Sequence, residues 1–119
     1  MTSKPEIEFT AVGDWPWVPV PGGAEGQFER ILASDGDTGT RMLRFEPGCD
    51  TSSFGVVVHD FWEEVYILEG SITDLRLDQT FSAGDYACRP PGMEHGPWVA
   101  PAGAKTFEVR YPAAAYHAE

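Results

Sequence analysis

The sequence has 119 residues, which is enough for one domain with a hydrophobic core. Its 19 acidic against 8 basic side chains leave a formal net charge of −11, which repels nucleic-acid phosphates and anionic membrane surfaces. It contains no apolar run of about 18 residues, the length a transmembrane helix requires. We therefore expect neither a nucleic acid nor a membrane as partner.

The N-terminus and the cysteines favour the cytoplasm. The opening residues, MTSKPEIEFTAVGDW, lack the basic start and apolar stretch of a secretory signal. Cys49 and Cys88 are two thiols, and in a reducing compartment a disulfide between them is not expected. The sequence therefore predicts a cytoplasmic protein with unpaired cysteines.

In chain order, residues 1–24 carry four prolines and are interpreted as an N-terminal arm or edge strand, and residues 25–119 as a single barrel domain. The 13 glycines and 10 prolines separate short runs rich in β-branched and aromatic residues. Many short strands with turn residues between them indicate an all-β sandwich or barrel, and no window shows a helical period. The predicted strands are 27–34, 40–46, 53–59, 64–77, 85–89 and 105–111.

The stretch HDFWEEVYILEG, residues 59–70, is the first candidate for a functional site. The strand before it ends at His59, and Val57 shares a face with His59 because side chains alternate along a strand. A hairpin through the bend DFW would bring Glu63 within reach of His59, offering one nitrogen and one oxygen ligand to a metal ion. Alone the pair is weak evidence, because a His and a Glu beside a turn are more often solvated.

The stretch GDYACRPPGMEH, residues 84–95, is the second candidate. Proline fixes φ and glycine permits a tight reversal, so the residues before His95 form a rigid turn. A rigid turn explains the prolines but not why a second histidine with a nearby carboxylate occurs elsewhere. Gly84, Pro90, Gly92 and His95 stand at the spacing G-x5-P-x-G-x2-H.

Together the two stretches resemble the signature motifs of the cupin superfamily, G-x5-H-x-H-x3-4-E-x6-G and G-x5-P-x-G-x2-H-x3-N. His59, Glu63 and Gly70 match the first motif, and the second matches through His95. The segments DWPW, EEVYILEG and RPPG are similar to those of cupins related to anti-sigma-factor metal domains and acetylacetone-cleaving dioxygenases.

The sequence departs from these motifs at three positions. Val57 stands where the first motif has its first histidine, Thr51 replaces the opening glycine, and Val99 replaces the final asparagine of the second. Valine cannot bind a metal, so the resemblance leaves two alternatives open. Either the three remaining ligands form a two-histidine, one-carboxylate set with open positions, or the site is empty and the barrel binds a small molecule without metal.

The resemblance implies an all-β double-stranded β-helix, a jelly-roll barrel holding one divalent metal ion: Fe(II), Zn, Mn or Ni. Its metal ligands would be His59, Glu63 and His95, and the proton would be moved either by water held on the metal or by Glu63, the catalytic residue, once it swings free of the ion. Arginines on the predicted strands, Arg41, Arg44, Arg89 and Arg110, are expected mostly as paired surface residues, although one pointing inward would indicate a carboxylate substrate. The predicted substrate-binding residues are Val57, Trp62, Trp98, Phe54 and Phe107.

Two functions follow from the resemblance. The first is a metal-dependent enzyme acting on a small oxygenated organic compound, by dioxygenase-type C–C cleavage or by enolate isomerase, decarboxylase or cyclase chemistry. The alternative is a non-catalytic small-molecule or metal-binding module. One cupin barrel hosts many reactions, so the fold does not select between them. Cupins of this size are commonly homodimers, and we expect one here.

Overall fold

The computed structural model describes residues 4–115 and contains nine β-strands, all paired antiparallel. Helical structure in this part of the chain is limited to two 3₁₀ turns, Ser52–Phe54 and Ala113–Ala115, which confirms the predicted all-β jelly roll. No helix in this range is long and apolar enough to cross a membrane. The strands are β1 Val18–Pro19, β2 Gln27–Asp35, β3 Thr38–Phe45, β4 Cys49–Asp50, β5 Phe61–Asp74, β6 Gln79–Ser82, β7 Tyr86–Arg89, β8 Trp98–Ala100 and β9 Ala104–Pro112.

The 14-residue strand β5 joins the two halves of the barrel. Its first part lies between β9 and β7, in a sheet of order β1-β2-β3-β9-β5-β7. Its last residues, 71–74, lie between β8 and β6 in a second, smaller sheet that β4 completes. A register shift between Ile67 and Glu69 separates the two parts. Because one strand belongs to both sheets, side chains of both surround a common interior.

The predicted strand 53–59 is wrong, and so is the hairpin it was expected to form with β5. Residues 52–54 form a 3₁₀ turn, and Gly55 follows with φ of +68°, a conformation that interrupts an extended ladder. Val57 makes a single antiparallel bridge, and its partner is His95 rather than a residue of β5. The strands that the sequence did not reveal, β4, β6 and β8, have two to four residues, too few to show a period of two.

Along the central strands the inward-facing residues change from charged to apolar. On β3, Arg41 is followed on the same face by Leu43 and Phe45, which are 2% and 3% exposed. On β5, Glu63 is followed in the same way by buried Val65 and Ile67. The barrel therefore has an apolar end and a charged end. The buried core residues at the apolar end are Leu43, Phe45, Cys49, Ala100 and Ala104.

The segment before β2 is attached to the barrel by arginine contacts. Arg30 donates hydrogen bonds from Nε and Nη2 to the carbonyls of Trp15 (2.9 Å) and Gly13 (3.2 Å). Its guanidinium lies 4.3 Å from the ring centre of Trp17, which Arg44 also contacts at 5.1 Å. These contacts, of a kind worth about 0.5–1 kcal/mol at exposed sites, hold residues 13–17 on the outside of the sheet.

We predict that Gly70→Ala destabilises the fold more than Gly48→Ala. Both glycines have positive φ, +74° and +86°, so both alanines are strained by about 1–3 kcal/mol. A Cβ at Gly70 would also lie 2.1 Å from the carbonyl oxygen of Gly103, whereas a Cβ at Gly48 meets nothing within 4 Å. Urea denaturation should show an additional loss of at least about 2 kcal/mol for Gly70→Ala. Equal losses in the two variants would show that the close approach to Gly103 is unimportant.

Candidate metal centre

The charged end of the barrel contains a cavity of about 280 Å³. Its wall combines two histidines, three arginines, two glutamates and a small number of apolar side chains. Residues 20–23, between β1 and β2, line it as well. Such a volume lies at the lower end of the range for small-molecule sites.

Backbone hydrogen bonds hold the two histidines in register with one another. Val57 and His95 exchange both of their backbone hydrogen bonds, at 2.7 and 3.0 Å. Gly92, with φ of +87°, donates its N–H to the carbonyl of His59 at 2.8 Å, and Met93 closes the turn onto Pro90 at 3.1 Å. The rigid proline-glycine turn therefore positions His95, which follows it, and also fixes the backbone of His59.

The side chains of His59, Glu63 and His95 converge in this cavity. One ligand atom from each lies within 4.8 Å of the other two, and both Glu63 and His95 are 4% exposed. His95 Nδ1 lies 3.3 Å from the carbonyl oxygen of Met93. This contact suits a protonated Nδ1 and leaves Nε2 as the free nitrogen.

Aromatic rings stack on the faces of both imidazoles. His59 stacks on Phe61 with ring centres 4.4 Å apart, and His95 stacks on Trp98 at 5.7 Å. The two imidazole centres are 4.8 Å apart. Rotation of either ring would cost these contacts, so the ligand atoms are held in place before any ligand arrives.

Burial lowers the pKa of both histidines. For His59, burial is the largest cause and outweighs the opposing attraction of Glu63. For His95, burial is again the largest cause, and the positive charge of Arg89 adds to it. Both shifts favour the neutral imidazole, which is the form that coordinates a metal ion.

Glu63 is held between two arginines. Arg89 Nη1 donates to Oε1 at 3.1 Å, and Arg110 Nη2 lies 3.7 Å from Oε2. The register of the sheet sets this arrangement, because Glu63 pairs with Arg89 on β7 and with Arg110 on β9. Each carboxylate oxygen therefore faces one guanidinium group while Glu63 also faces the histidines.

A second charged network lies beside the first. Arg41 donates from Nη1 to Glu29 at 2.7 Å and from Nε to Glu108 at 3.1 Å, and Thr106 donates to the other oxygen of Glu108 at 3.2 Å. Arg41 and Glu108 are directly opposite one another on β3 and β9. Burial raises the pKa of Glu108, Glu63 raises it further, and the charge of Arg41 opposes both.

The structure brings some of the predicted substrate-binding residues to the cavity and leaves others outside. Val57, Phe54 and Trp98 line it, with Phe54 half exposed at its rim. Trp62 and Phe107 do not line it. Each lies between inward-facing neighbours on its strand and so faces outward, and Trp62 stacks on Tyr111 at 6.2 Å.

The expectation that most of the strand arginines lie on the surface is wrong. Arg41, Arg89 and Arg110 line the cavity rather than the surface, and only Arg44 keeps an outer position, against Trp17 and Phe28. Glu108 was not proposed as a site residue at all. The available signal was alternation, because Arg41 shares a face with Leu43 and Phe45, but alternation alone does not show which face is inside.

The sequence pattern of the ChrR cupin-like domain family matches residues 6–114. The protein belongs to this cupin family. No curated protein matches the sequence.

Solved structures show the same fold at low sequence identity. An RmlC-like cupin from Shewanella frigidimarina aligns with a TM-score of 0.70 at 20% identity, covering 91% of this chain and 93% of that one. An acetylacetone dioxygenase from Acinetobacter johnsonii aligns with a TM-score of 0.71 at 17% identity, covering 92% of this chain and 76% of that one. A chain of the complex of Rhodobacter sphaeroides SigE with the anti-sigma ChrR aligns with a TM-score of 0.65 at 21% identity. The alignment covers 85% of this chain and 52% of that one. This cupin thus spans about half of the matched chain of that complex.

The donor set of this cupin fits a divalent metal ion. Two neutral imidazoles and one carboxylate are ligands that Fe(II), Mn, Ni and Zn accept. A carboxylate has about four lone-pair positions, so Glu63 has acceptor capacity beyond its two arginine contacts. Val57 adds an apolar wall to the same cavity and no ligand atom.

We predict that Arg41→Met lowers the free energy of unfolding by about 3 kcal/mol, because it leaves two buried carboxylates unpaired. Glu29 and Glu108 are 7% and 6% exposed. Urea denaturation provides the measurement. The matched control is Arg41→Met combined with Glu29→Gln and Glu108→Gln, which removes the uncompensated charges and should recover most of the loss.

The same experiment has a pH dependence of known sign. In the single Arg41→Met variant the pKa of Glu108 rises further, since the opposing charge is gone. A carboxyl whose pKa is higher in the folded than in the unfolded state stabilises the fold as pH falls. The deficit should therefore shrink between about pH 7 and about pH 5; a deficit that is constant or grows would contradict this account.

Proposed function

We propose that this cupin is a metal-dependent enzyme that acts on a small oxygenated organic compound. The observation that carries the proposal is the convergence of His59, Glu63 and His95, whose ligand atoms lie within 4.8 Å of one another in one cavity. Three protein ligands leave coordination positions open to a substrate, as catalytic rather than purely structural sites require.

Each residue has a proposed role. His59 and His95 hold the metal through neutral imidazoles, and Glu63 supplies the third ligand. When bound, a divalent ion would polarise substrate oxygens as a Lewis acid, and Fe(II) would add oxygen chemistry. Glu63 can also take a proton from a carbon beside a carbonyl. Val57, Phe54 and Trp98 would limit the size of the substrate and exclude water.

Two reaction types are proposed. One is dioxygenase-type C–C cleavage, and its support is the shared fold with the Acinetobacter johnsonii acetylacetone dioxygenase. The other is enolate chemistry: isomerisation, decarboxylation or cyclisation. The buried carboxylates of the cavity favour diketone cleavage, isomerisation and cyclisation, since each of these begins with loss of a proton from carbon. Decarboxylation forms its enolate by loss of CO2 instead, and there a carboxyl group would return a proton to carbon.

One observation favours the alternative, a binding module without catalysis. Arg89 and Arg110 already compensate the charge of Glu63 in the absence of metal. A cavity whose carboxylate is neutralised in this way has less need of an ion. The fold shared with the SigE–ChrR complex, in which ChrR is an anti-sigma protein, supports the same alternative.

Metal binding separates the enzyme from a module that works without metal. We predict that the purified protein binds about one divalent ion per chain and that His95→Ala weakens binding at least about 100-fold, because removing a ligand exceeds the 10- to 100-fold effects seen for outer-shell changes. Glu94→Ala, at the exposed neighbouring position, is the matched control and should bind as the wild type does. Elemental analysis and calorimetric titration provide the measurements. Absence of binding in the wild type would favour the module.

Val57 permits a second test in the opposite direction. Val57→His places an imidazole in the cavity and should tighten metal binding at least about tenfold. Occupying an open position should also weaken a chelating substrate and lower turnover. Val58→His is the control, because Val58 is 54% exposed and does not line the cavity. Equal metal affinity in the two variants would show that Val57 is remote from the ion.

We also propose that the protein is a cytoplasmic homodimer. Its free cysteines, buried Cys49 and exposed Cys88, suit a reducing compartment. Tyr66, Leu68 and Tyr86 form an outer apolar patch on β5 and β7, with exposures of 44%, 40% and 58%. Covering this patch with a second copy would remove apolar surface from water.

Light scattering coupled to size-exclusion chromatography tests the dimer. Wild-type protein should elute as a dimer, and Leu68→Lys should shift it to monomer because the charge would be buried in the interface. Ile31→Lys, at a 50% exposed position on β2 outside the patch, should remain dimeric. A monomeric wild type contradicts the proposal.

A further inference from the structure

The three arginines that line the cavity are balanced by carboxylates without a metal ion. Among the described residues, Arg41 pairs with Glu29 and Glu108, while Arg89 and Arg110 share Glu63. Three guanidinium groups thus face three carboxylates, of which Glu29 pairs with Arg41 without lining the cavity. A divalent ion at His59, Glu63 and His95 would therefore leave two positive charges uncompensated in a buried site, which is costly unless an anion accompanies it.

The surplus positive charge is concentrated at one place. Arg41 is paired with two carboxylates, whereas Arg89 and Arg110 share Glu63 as their one carboxylate within residues 4–115. The contact of Arg110 with Glu63 is also the longer, at 3.7 Å against 3.1 Å. That distance exceeds normal hydrogen-bond length. Arg110 is therefore the cavity arginine with most capacity left for another anion.

Two buried donors in the wall of the same cavity lack acceptors. Within residues 4–115, neither Nε of Arg110 nor Nε1 of Trp98 has a hydrogen-bond partner in the protein, and both residues line the cavity. An indole N–H and a guanidinium N–H can only donate. Leaving such groups unpaired and buried is unfavourable by about 1–3 kcal/mol each, so a ligand whose acceptor oxygens reach these two N–H groups would be stabilised.

We propose that the ligand of this cavity is a small carboxylate that carries a second oxygen, such as a keto acid or hydroxy acid. The carboxylate is bound by Arg110 with Arg89, and the N–H of Trp98 donates to the ligand. The planar guanidinium is suited to a carboxylate because it offers parallel donors. This inference rests on the proposed function for the second oxygen, which would face His59 and His95, but the carboxylate contacts are made by protein side chains alone.

The cavity also limits the ligand. Its volume of about 280 Å³ excludes large cofactors and polymers. A neutral diketone would leave the charge of the metal and the free donor of Arg110 unsatisfied. The site therefore distinguishes between molecules of equal size by charge.

Acetoacetate and acetylacetone are matched probes, because they differ in a carboxylate against an acetyl group. We would titrate each by calorimetry into the protein before and after loading with Zn²⁺, a metal that performs no redox chemistry. We expect acetoacetate to bind at least about tenfold more tightly than acetylacetone, since charge-assisted hydrogen bonds exceed neutral ones in strength. The metal-free protein carries the comparison, because bound Zn²⁺ favours loss of the acidic proton of acetylacetone and so gives it the same charge as acetoacetate.

Three variants assign the preference to its residues. Arg110→Met should abolish it, and Trp98→Phe, which keeps a ring beside His95 but removes the N–H, should weaken acetoacetate binding about three- to tenfold. Arg76→Met loses the same charge at an exposed position outside the cavity and should keep the preference. Zn²⁺ titration of each variant shows whether a loss of acetoacetate binding merely follows loss of metal.

The outcomes separate this inference from the proposed function. If Zn²⁺ binds but acetylacetone binds the metal-free protein as tightly as acetoacetate does, the carboxylate assignment is wrong and the metal centre stands. If Zn²⁺ does not bind but the acetoacetate preference persists and depends on Arg110, the metal centre is wrong and the carboxylate site stands. Lack of saturable acetoacetate binding, or a preference that survives Arg110→Met, overturns the inference.

Discussion

The interior of this barrel depends on pairing buried charges across neighbouring strands. Glu63 stands opposite Arg89 on one side and Arg110 on the other, and Arg41 stands opposite Glu108 one row further in. A buried charge without its partner is destabilising by about 3–5 kcal/mol, and a register slip of one residue turns every side chain to the opposite face. The strands therefore have one register in which these charges are compensated, and that register also turns Glu63 toward the two histidines, which loop hydrogen bonds hold.

Glu63 connects the fold to the proposed chemistry because it belongs both to the candidate metal centre and to the ion pairs with Arg89 and Arg110. It lies with His59 and His95 in the candidate metal centre, and it is the sole carboxylate that Arg89 and Arg110 contact among the described residues. Any ion at this centre would share Glu63 with the two arginines, which raises the demand for a further anion. The metal proposal and the carboxylate proposal are thus physically coupled, although separate measurements test them.

Much of the candidate centre could be predicted from local sequence. His95 follows a proline-glycine turn whose backbone conformation is locally encoded. The strand predicted at 53–59 did not form. Even so, Val57 and His59 both line the cavity while the neighbouring Val58 is exposed, so alternation of side chains persisted in an extended segment without a ladder.

The amino-acid sequence by itself determined the all-β class and the spacing of His59, Glu63 and His95, because turn residues and a period of two act over a few residues. Only the tertiary structure decided that Arg89 and Arg110 face inward against Glu63 and that Trp62 faces out. Those orientations follow from which face of β5 is covered by the second sheet. That choice is made by contacts between residues far apart in the chain, and no local pattern records it.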